Sequence, residues 1–330
     1  MESTPNMLVN VVQSAFGRLG GSFSKTFLGQ PCRKETGDNA VLLSSSGNIY
    51  RLESVLGVGG LSVVYRAYRY SDGKEVAVKV ANTNKAPEAK ALLAREAELM
   101  SRLQHENIVE LYESGTTVDG DPFIAMEILE GQTLEQVLVT HTSLDLQRVA
   151  KICLQVAEAV QHAHDRGILH RDIKPGNIMI VNRDGVEKAV IYDFGISLTV
   201  GADGSSFDET SSGSLLYASP EQLDEQICSY NTDVYQLALV MFEALTGRLP
   251  FEISVKGALD YRRGRGPVLL SNDELGGKRL CEGVRVVLEK ALERNPKKRT
   301  VNMMSFINEL RQALVEPGAW GFKSKSARLA

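Results

Sequence analysis

The sequence has few cysteines, and they show no pattern that would hold a metal or a disulfide framework. The four cysteines, Cys32, Cys153, Cys228 and Cys281, lie far apart and form no Cys-x-x-Cys pair. Zinc sites and disulfide-stabilised secreted domains use closely spaced cysteines, so both classes are disfavoured. Unpaired thiols fit a reducing compartment, and we expect a cytoplasmic protein.

Long apolar runs and concentrated positive charge are also missing. No stretch approaches the roughly 20 apolar residues of a membrane-spanning helix, and the first residues lack the basic start of a signal peptide. The formal net charge is -4 and the pI is near 5.9, which gives no general attraction to nucleic acid or anionic lipid. We therefore expect no nucleic-acid partner and no membrane span.

The composition supports a large folded core. Of the 330 residues, 43% are hydrophobic and 24% are charged, enough for one large core or two lobes. Residues 1–47 differ in texture, with several Gly and Ser turns, and we treat them as an N-terminal extension. Apolar residues in it recur at helical spacing and predict a short amphipathic helix that docks on the protein or on a partner; a marginal isolated helix is the alternative. These residues are Leu8, Val11, Val12, Ala15, Phe16 and Leu19.

The segment from His170 to Asn177 gathers a carboxylate, a lysine and an amide in one short stretch. These groups suit phosphoryl transfer, in which the protein orients a hydroxyl and neutralises charge on phosphate oxygens. Asp172 would accept the proton of a substrate hydroxyl, Lys174 would lie against the transferring phosphate, and the Asn177 side-chain oxygen would bind Mg²⁺. Taken alone, the segment could also be a solvated polar loop after a helix.

Further motifs surround this segment in a fixed order. A Gly-rich turn and Val76-Ala77-Val78-Lys79 precede it, Asp193-Phe194-Gly195 follows a predicted hairpin, and Ser219-Pro220-Glu221 comes later. Together they resemble the motifs of eukaryotic-like serine/threonine protein kinases, most closely the bacterial type. The resemblance runs from about Tyr50 to about Leu314, and Asp172-Ile173-Lys174 has the serine/threonine form.

The resemblance implies a fold, cofactors and a reaction. The fold is α+β, a two-lobed protein kinase fold with a small sheet-rich N-lobe at residues 48–128, a larger helical C-lobe at 129–315 and a tail at 316–330. ATP with Mg²⁺, or with Mn²⁺, would occupy the cleft. The substrates would be proteins that accept the terminal phosphate on serine or threonine.

The resemblance also assigns the residues around ATP. Lys79 would bind phosphates and pair with Glu96, chosen over Glu98 by its spacing to the motif that follows, and Asp193 would hold Mg²⁺. Met126 would be the gatekeeper, with backbone groups of its neighbours on the adenine. The full set of predicted ATP contacts is Gly57, Val58, Gly59, Gly60, Leu61, Ser62, Val64, Ala77, Lys79, Met126, Glu127, Leu129 and Met179.

Other residues receive structural and regulatory roles by the same resemblance. Glu221 would pair with Arg299. Asp233 would brace the segment from His170 to Asn177, which we name the catalytic loop. His162 and His164 are expected to have no role. Arg171 resembles the family's phosphate-reading arginine. The segment between residues 195 and 220 is rich in Gly, Ser and Thr, and autophosphorylation is expected on Ser205, Ser206, Thr210, Ser211 or Ser212.

Two other functions share these features. A pseudokinase that binds nucleotide or a partner without catalysis is disfavoured because none of the catalytic residue types is missing. A phosphotransferase for small molecules is disfavoured by the Ser219-Pro220-Glu221 segment and the helix after it, which form a peptide platform in protein kinases.

Overall fold

A six-stranded antiparallel sheet makes up most of the small lobe. The computed structural model describes residues 40–59, 61–82, 88–118, 120–194, 216–223, 228–251 and 282–315. The strands of the sheet are β1 (Ala40–Leu43), β2 (Ile49–Val58), β3 (Ser62–Arg69), β4 (Lys74–Ala81), β5 (Leu111–Thr116) and β6 (Pro122–Met126). They lie side by side in the order β1-β2-β3-β4-β6-β5, so β4 is central and carries a run of buried residues.

One helix, α1 (Ala89–Met100), packs against this sheet. Its buried residues include Leu93, Glu96, Ala97 and Met100, at the spacing that places side chains on one helical face. Glu96 on the buried face is a carboxylate that needs a partner.

The larger lobe is mainly helical, with a small three-stranded sheet beside the cleft. Its helices are α2 (Leu134–His141), α3 (Leu146–His164), α4 (Pro220–Leu223), α5 (Tyr230–Thr246), α6 (Glu282–Ala291) and α7 (Met303–Val315). The second sheet has the order β7 (Gly131–Thr133), β8 (Ile178–Arg183) and β9 (Val186–Ile191). The two-lobed arrangement expected from the motifs is therefore present.

Helix α5 forms the centre of this lobe, since almost all of its residues are buried. It is apolar except at Asp233, Gln236 and a few other polar positions, and it ends at Gly247, whose left-handed φ of 76° favours glycine. Within the part of the chain that the structure describes, no helix is long and apolar enough to cross a membrane.

Strand β1 joins the small-lobe sheet, although the sequence texture placed it in the N-terminal extension. Ala40 to Leu43 pair with β2, and the turn after β1 bonds to the end of β5, where Ser45 N donates to Thr116 O at 2.9 Å. Residues 40–43 are thus part of the lobe. The predicted amphipathic helix lies outside the described residues.

Glu113 on β5 fastens this added strand. Its carboxylate accepts hydrogen bonds from Ser44 Oγ (2.7 Å), Ser46 Oγ (2.6 Å), Asn48 Nδ2 (2.7 Å) and the Tyr50 hydroxyl. Burial by itself would raise the pKa of Glu113, but these donors lower it. The carboxylate therefore links the turn between β1 and β2 to the opposite edge of the sheet.

Replacing Glu113 by alanine should lower the free energy of unfolding by about 1–3 kcal/mol, because buried donors at Ser44 and Tyr50 lose their acceptor. Chemical denaturation would measure this loss. Glu75→Ala is the matched control, since Glu75 pairs with Arg66 near the surface and should matter by less than about 1 kcal/mol. Equal stability of the two variants would contradict the role given to Glu113.

Candidate active site

Two side chains of α5 hold the backbone of the catalytic loop in place. The Asp233 carboxylate accepts hydrogen bonds from His170 N at 2.9 Å and from Arg171 N at 2.7 Å. Gln236 accepts one from Ile173 N at 3.1 Å and donates one to Arg171 O at 2.7 Å. The loop is therefore positioned by a buried helix.

His164 takes part in this support, so the expectation that it has no role is wrong. Its Nε2 lies 2.6 Å from Asp233 Oδ2, and both side chains are buried. Burial would raise the pKa of Asp233, but the contact with His164 and the bond from His170 N lower it and favour the carboxylate. Gln236 was also missed; its place three residues after Asp233 on one helical face was the available signal.

Two polar side chains of the loop, Lys174 and Asn177, bond to the carboxylate of a third residue, Asp172. Asp172 Oδ2 accepts hydrogen bonds from Lys174 Nζ at 2.7 Å and from Asn177 Nδ2 at 2.9 Å. A short 3-10 turn at Pro175–Asn177 brings the amide back toward the aspartate, and Asn177 Nδ2 also donates to Asp172 O at 2.8 Å. Asp172 and Asn177 are both buried. The arrangement fixes a carboxylate with positive charge beside it.

A second charged cluster connects the two lobes. Lys79 Nζ lies 2.6 and 2.8 Å from the two oxygens of Glu96 and 2.8 Å from Asp193 Oδ1. Glu98 is exposed and bonds to Arg95 instead. Burial disfavours the charged amine, but the carboxylates of Asp193 and Glu96 more than offset this and raise the pKa of Lys79. Lys79 in turn lowers the pKa of Asp193 to about 2.

Two residues of the site have left-handed backbones that side chains rarely adopt. Arg171 has φ 67° and Asp193 has φ 65°. Such conformations cost free energy and persist where the surroundings enforce them, which is common at functional sites. Here Asp233 holds the Arg171 amide, and the ring of Phe194 packs on the buried His170 ring with centroids 4.6 Å apart. The two segments are fixed against each other.

The predicted Gly-rich turn connects β2 and β3. Gly59 N donates to Ser62 O at 2.8 Å, and Gly57 and Val58 pair with Val64 and Val63 in the strands. Val58 is 64% exposed, so this part of the turn is accessible to solvent or to a ligand. Leu61 also lies in the turn, and Gly60 is outside the described residues.

The predicted adenine-binding residues come from β4, from the end of β6 and the segment after it, and from β8. Ala77 is buried on β4 and pairs in register with Met126 at the end of β6. Met126, Leu129 and Met179 are partly buried and pack against the main core. Glu127 N donates to Glu110 O at 2.9 Å, which leaves its carbonyl as the group for a ligand.

The donor set fits a hard divalent cation. Asn177 uses its amide nitrogen for Asp172, which leaves its side-chain oxygen as a ligand. Asp193 gives one oxygen to Lys79 and has a side chain that is 40% exposed. Carboxylate and amide oxygens are the ligands that Mg²⁺ prefers. Asn177 and Asp193 could therefore hold the ion together with phosphate oxygens.

A comparison with known families decides the assignment. The family described as "Protein kinase domain" matches residues 50–310. The chain belongs to the protein kinase family. The kinase fold predicted from the motifs is confirmed.

Curated relatives of this kinase are named as bacterial serine/threonine kinases. A probable serine/threonine-protein kinase PknB of Corynebacterium glutamicum is 38% identical over 221 residues, 64% of this chain and 34% of the relative. PrkC of Bacillus subtilis is 35% identical over 222 residues, 66% and 34% of the two chains. PknB of Mycobacterium leprae is 34% identical over 261 residues, 76% and 40%. The matching regions thus cover well under half the length of these relatives. The bacterial serine/threonine type predicted from the motifs is confirmed.

A buried ion pair lies behind the catalytic loop of this kinase. Arg299 Nη1 and Nη2 bond to the two oxygens of Glu221 at 2.7 and 2.9 Å, and both side chains are almost completely buried. Thr232 Oγ1 also donates to Glu221 Oε1 at 2.8 Å. The pair joins α4 to the segment before α7.

The predicted phosphorylation sites lie outside the described residues; they are Ser205, Ser206, Thr210, Ser211 and Ser212.

Proposed function

We propose that this kinase transfers the terminal phosphate of ATP to serine or threonine hydroxyls of proteins. The observation that carries the proposal is the contact of Lys79 Nζ with both Glu96 and Asp193. That contact joins the phosphate-binding lysine of the small lobe to the predicted metal ligand of the large lobe, as catalysis of phosphoryl transfer requires. A scaffold that does not catalyse would not need this alignment.

The residues of the catalytic loop divide the work of the transfer. Asp172 orients the acceptor hydroxyl and accepts its proton as the hydroxyl oxygen bonds to the terminal phosphorus. The bond from that phosphorus to the bridging oxygen breaks, and ADP leaves. Lys174, 2.7 Å from Asp172, offsets negative charge on the transferring phosphate. Bound Mg²⁺ would supply further positive charge at the phosphates through Asn177 and Asp193.

The rest of the nucleotide would lie against the Gly-rich turn and against the hinge, the segment 127–130 that links β6 of the small lobe to β7 of the large lobe. The carbonyl of Glu127 and the backbone N–H of Leu129 suit the donor and acceptor edges of adenine. Ala77 and Met179 would cover the two faces of the ring. Backbone N–H groups of the turn near Gly59 and Ser62 would approach the phosphates, where any residue with an N–H serves.

Two further proposals concern the compartment of this kinase and its N-terminal extension. Protein substrates reached in the cytoplasm are consistent with the free thiols of Cys153 and Cys228. The predicted amphipathic helix, whose apolar stripe runs from Leu8 to Leu19, would dock on the kinase or on a partner. Removing residues 1–39 and finding unchanged activity and stability would argue against docking on the kinase itself.

The experiment that tests the function uses purified protein, labelled ATP with Mg²⁺ and a generic protein acceptor. We expect labelled phosphoserine or phosphothreonine in the acceptor. Nucleotide binding without any transfer would favour the pseudokinase, and label on small molecules alone would favour a phosphotransferase for small molecules.

Autophosphorylation should activate this kinase moderately. Arg171 would read the phosphate, because it occupies the place of the family's phosphate-reading arginine immediately before Asp172. Phosphate on the segment 205–212 would supply roughly -1.5 to -2 charges and acceptor oxygens to order the segment. Asp208 and Glu209 could supply part of that charge, so activity should not depend fully on modification.

Mass spectrometry after incubation with Mg-ATP should locate phosphate on one or more of the five hydroxyl residues. Changing all five to alanine should reduce activity without abolishing it, with Thr140→Ala on α2 as the control. A fully active enzyme with no phosphate in the segment would contradict the switch.

A further inference from the structure

The tip of the β8–β9 hairpin reaches across to the hinge. Arg183, the last residue of β8, bonds through Nη2 to Glu127 Oε1 at 2.7 Å and to Oε2 at 2.8 Å. Its other terminal nitrogen, Nη1, donates to Glu106 O at 3.0 Å. Glu127 follows β6, and Glu106 lies in the loop between α1 and β5. One guanidinium of the large lobe thus holds two separate segments of the small lobe.

The same loop is anchored to the hairpin at further points. Lys188 Nζ lies 2.7 Å from Glu106 Oε2. Asn107 Nδ2 donates to Ala189 O at 2.8 Å, and Ile191 N donates to Asn107 O at 2.9 Å. The α1–β5 loop is therefore bonded to several residues of β9. Glu127 of the hinge, in contrast, is bonded to this hairpin through Arg183. Loss of Arg183 should release the hinge more than the loop.

Glu127 is held from two sides at once. Its backbone N–H bonds to Glu110 O at 2.9 Å, and its carboxylate accepts the two bonds from Arg183. Nη2 bonds to both carboxylate oxygens while Nη1 of the same planar group bonds to Glu106 O, so the contacts restrict the orientation of Glu127 as well as its distance. The only backbone polar group left for a ligand is the carbonyl, which both contacts keep in place.

We propose that Arg183 is a positioning residue for nucleotide binding. Its bonds to Glu127 and Glu106, which we name the cross-lobe bridge, set the place of the hinge carbonyl relative to the large lobe. The inference rests on the proposed role of Glu127 in binding adenine. Without the bridge, more of the protein occupies lobe arrangements that bind ATP poorly, and the apparent affinity falls by the fraction that remains competent.

The test is the affinity of Arg183→Ala for a non-hydrolysable ATP analogue with Mg²⁺, measured by calorimetry. The cross-lobe bridge is partly exposed, so we expect the dissociation constant to rise by about two- to tenfold. The KM for ATP should rise by the same factor, while kcat at saturating ATP stays within about twofold of the wild type, because the catalytic loop is untouched.

Arg148→Ala is the matched control. Arg148 also makes a bidentate pair, with Glu187 at 2.7 and 3.1 Å, and its exposure is similar, but both partners lie in the large lobe. It should leave nucleotide affinity unchanged. An equal loss in both variants would show a general effect of stability and would overturn the proposal, as would wild-type affinity in Arg183→Ala.

A double-variant cycle with Glu127→Gln tests whether Arg183 acts through this carboxylate. We expect the double variant to bind the analogue about as well as Arg183→Ala alone, since one interaction can be lost only once. Additive losses would overturn the assignment. Wild-type protein that binds no analogue would instead refute the proposed function, so the two failures are distinguishable.

Discussion

Asp172→Asn should lower kcat by about two to four orders of magnitude while nucleotide binding stays near the wild-type level. The amide keeps an oxygen for the bonds from Lys174 and Asn177, so the loop should stay folded. It cannot accept the proton of the acceptor hydroxyl. Transfer of labelled phosphate to a protein acceptor measures kcat, and calorimetry with an ATP analogue measures binding.

Asp184→Asn is the control for this change. Asp184 is exposed in the β8–β9 turn with φ 53°, a conformation that asparagine tolerates well. This variant also replaces a carboxylate by an amide, but the enzyme should keep full activity. Equal transfer rates for wild type and Asp172→Asn would contradict the mechanism and remove the basis for assigning the base.

Local spacing was enough to predict much of the candidate site. Asp172, Lys174 and Asn177 lie within six residues, so their convergence follows from one short turn that proline starts. The choice of Glu96 over Glu98 came from its spacing to the motif that follows, as the family resemblance implies, and helix geometry adds that the two carboxylates point to different faces. The structure pairs Glu96 with Lys79 and leaves Glu98 exposed.

Several contacts between segments far apart in the chain could not be predicted from the sequence. His164 supports the catalytic loop only because α3, α5 and the loop meet in space, and its place on a helix gives no sign of its partner. The spacing of Gln236 to Asp233 indicates a shared helical face, but not which segment that face contacts. The same holds for Glu113, whose donors lie more than 60 residues earlier. Strand β1 was missed because four residues show too few alternations to distinguish a strand from a loop.

The largest expected loss of stability follows from Arg299→Met. The change removes the partner of Glu221 and leaves a carboxylate buried without compensation, which costs about 3–5 kcal/mol. Arg299 also bonds to Asn231 O at 3.0 Å and to Glu293 O at 2.9 Å, and it lies 4.8 Å from the ring centre of Tyr235. Chemical denaturation should show a lower free energy of unfolding.

Two variants separate the buried charge from the loss of an arginine as such. Arg311→Met breaks a pair with Glu158 whose arginine side chain is 55% exposed, and it should cost less than about 1 kcal/mol. Adding Glu221→Met to Arg299→Met removes the remaining charge and should restore most of the stability. A double variant less stable than Arg299→Met would contradict the argument.

The stability from this pair should also depend on pH in one direction. Burial raises the pKa of Glu221, but the bonds and charge of Arg299 outweigh it, and the pKa in the folded protein lies below the ordinary value. A depressed pKa adds stability above the ordinary pKa of glutamate, and that stability is lost as the pH falls through the lowered value. The difference in unfolding free energy between wild type and the Glu221→Met, Arg299→Met double variant should therefore shift against the wild type on acidification. A difference that does not vary with pH would show that Glu221 titrates alike in the folded and unfolded chains.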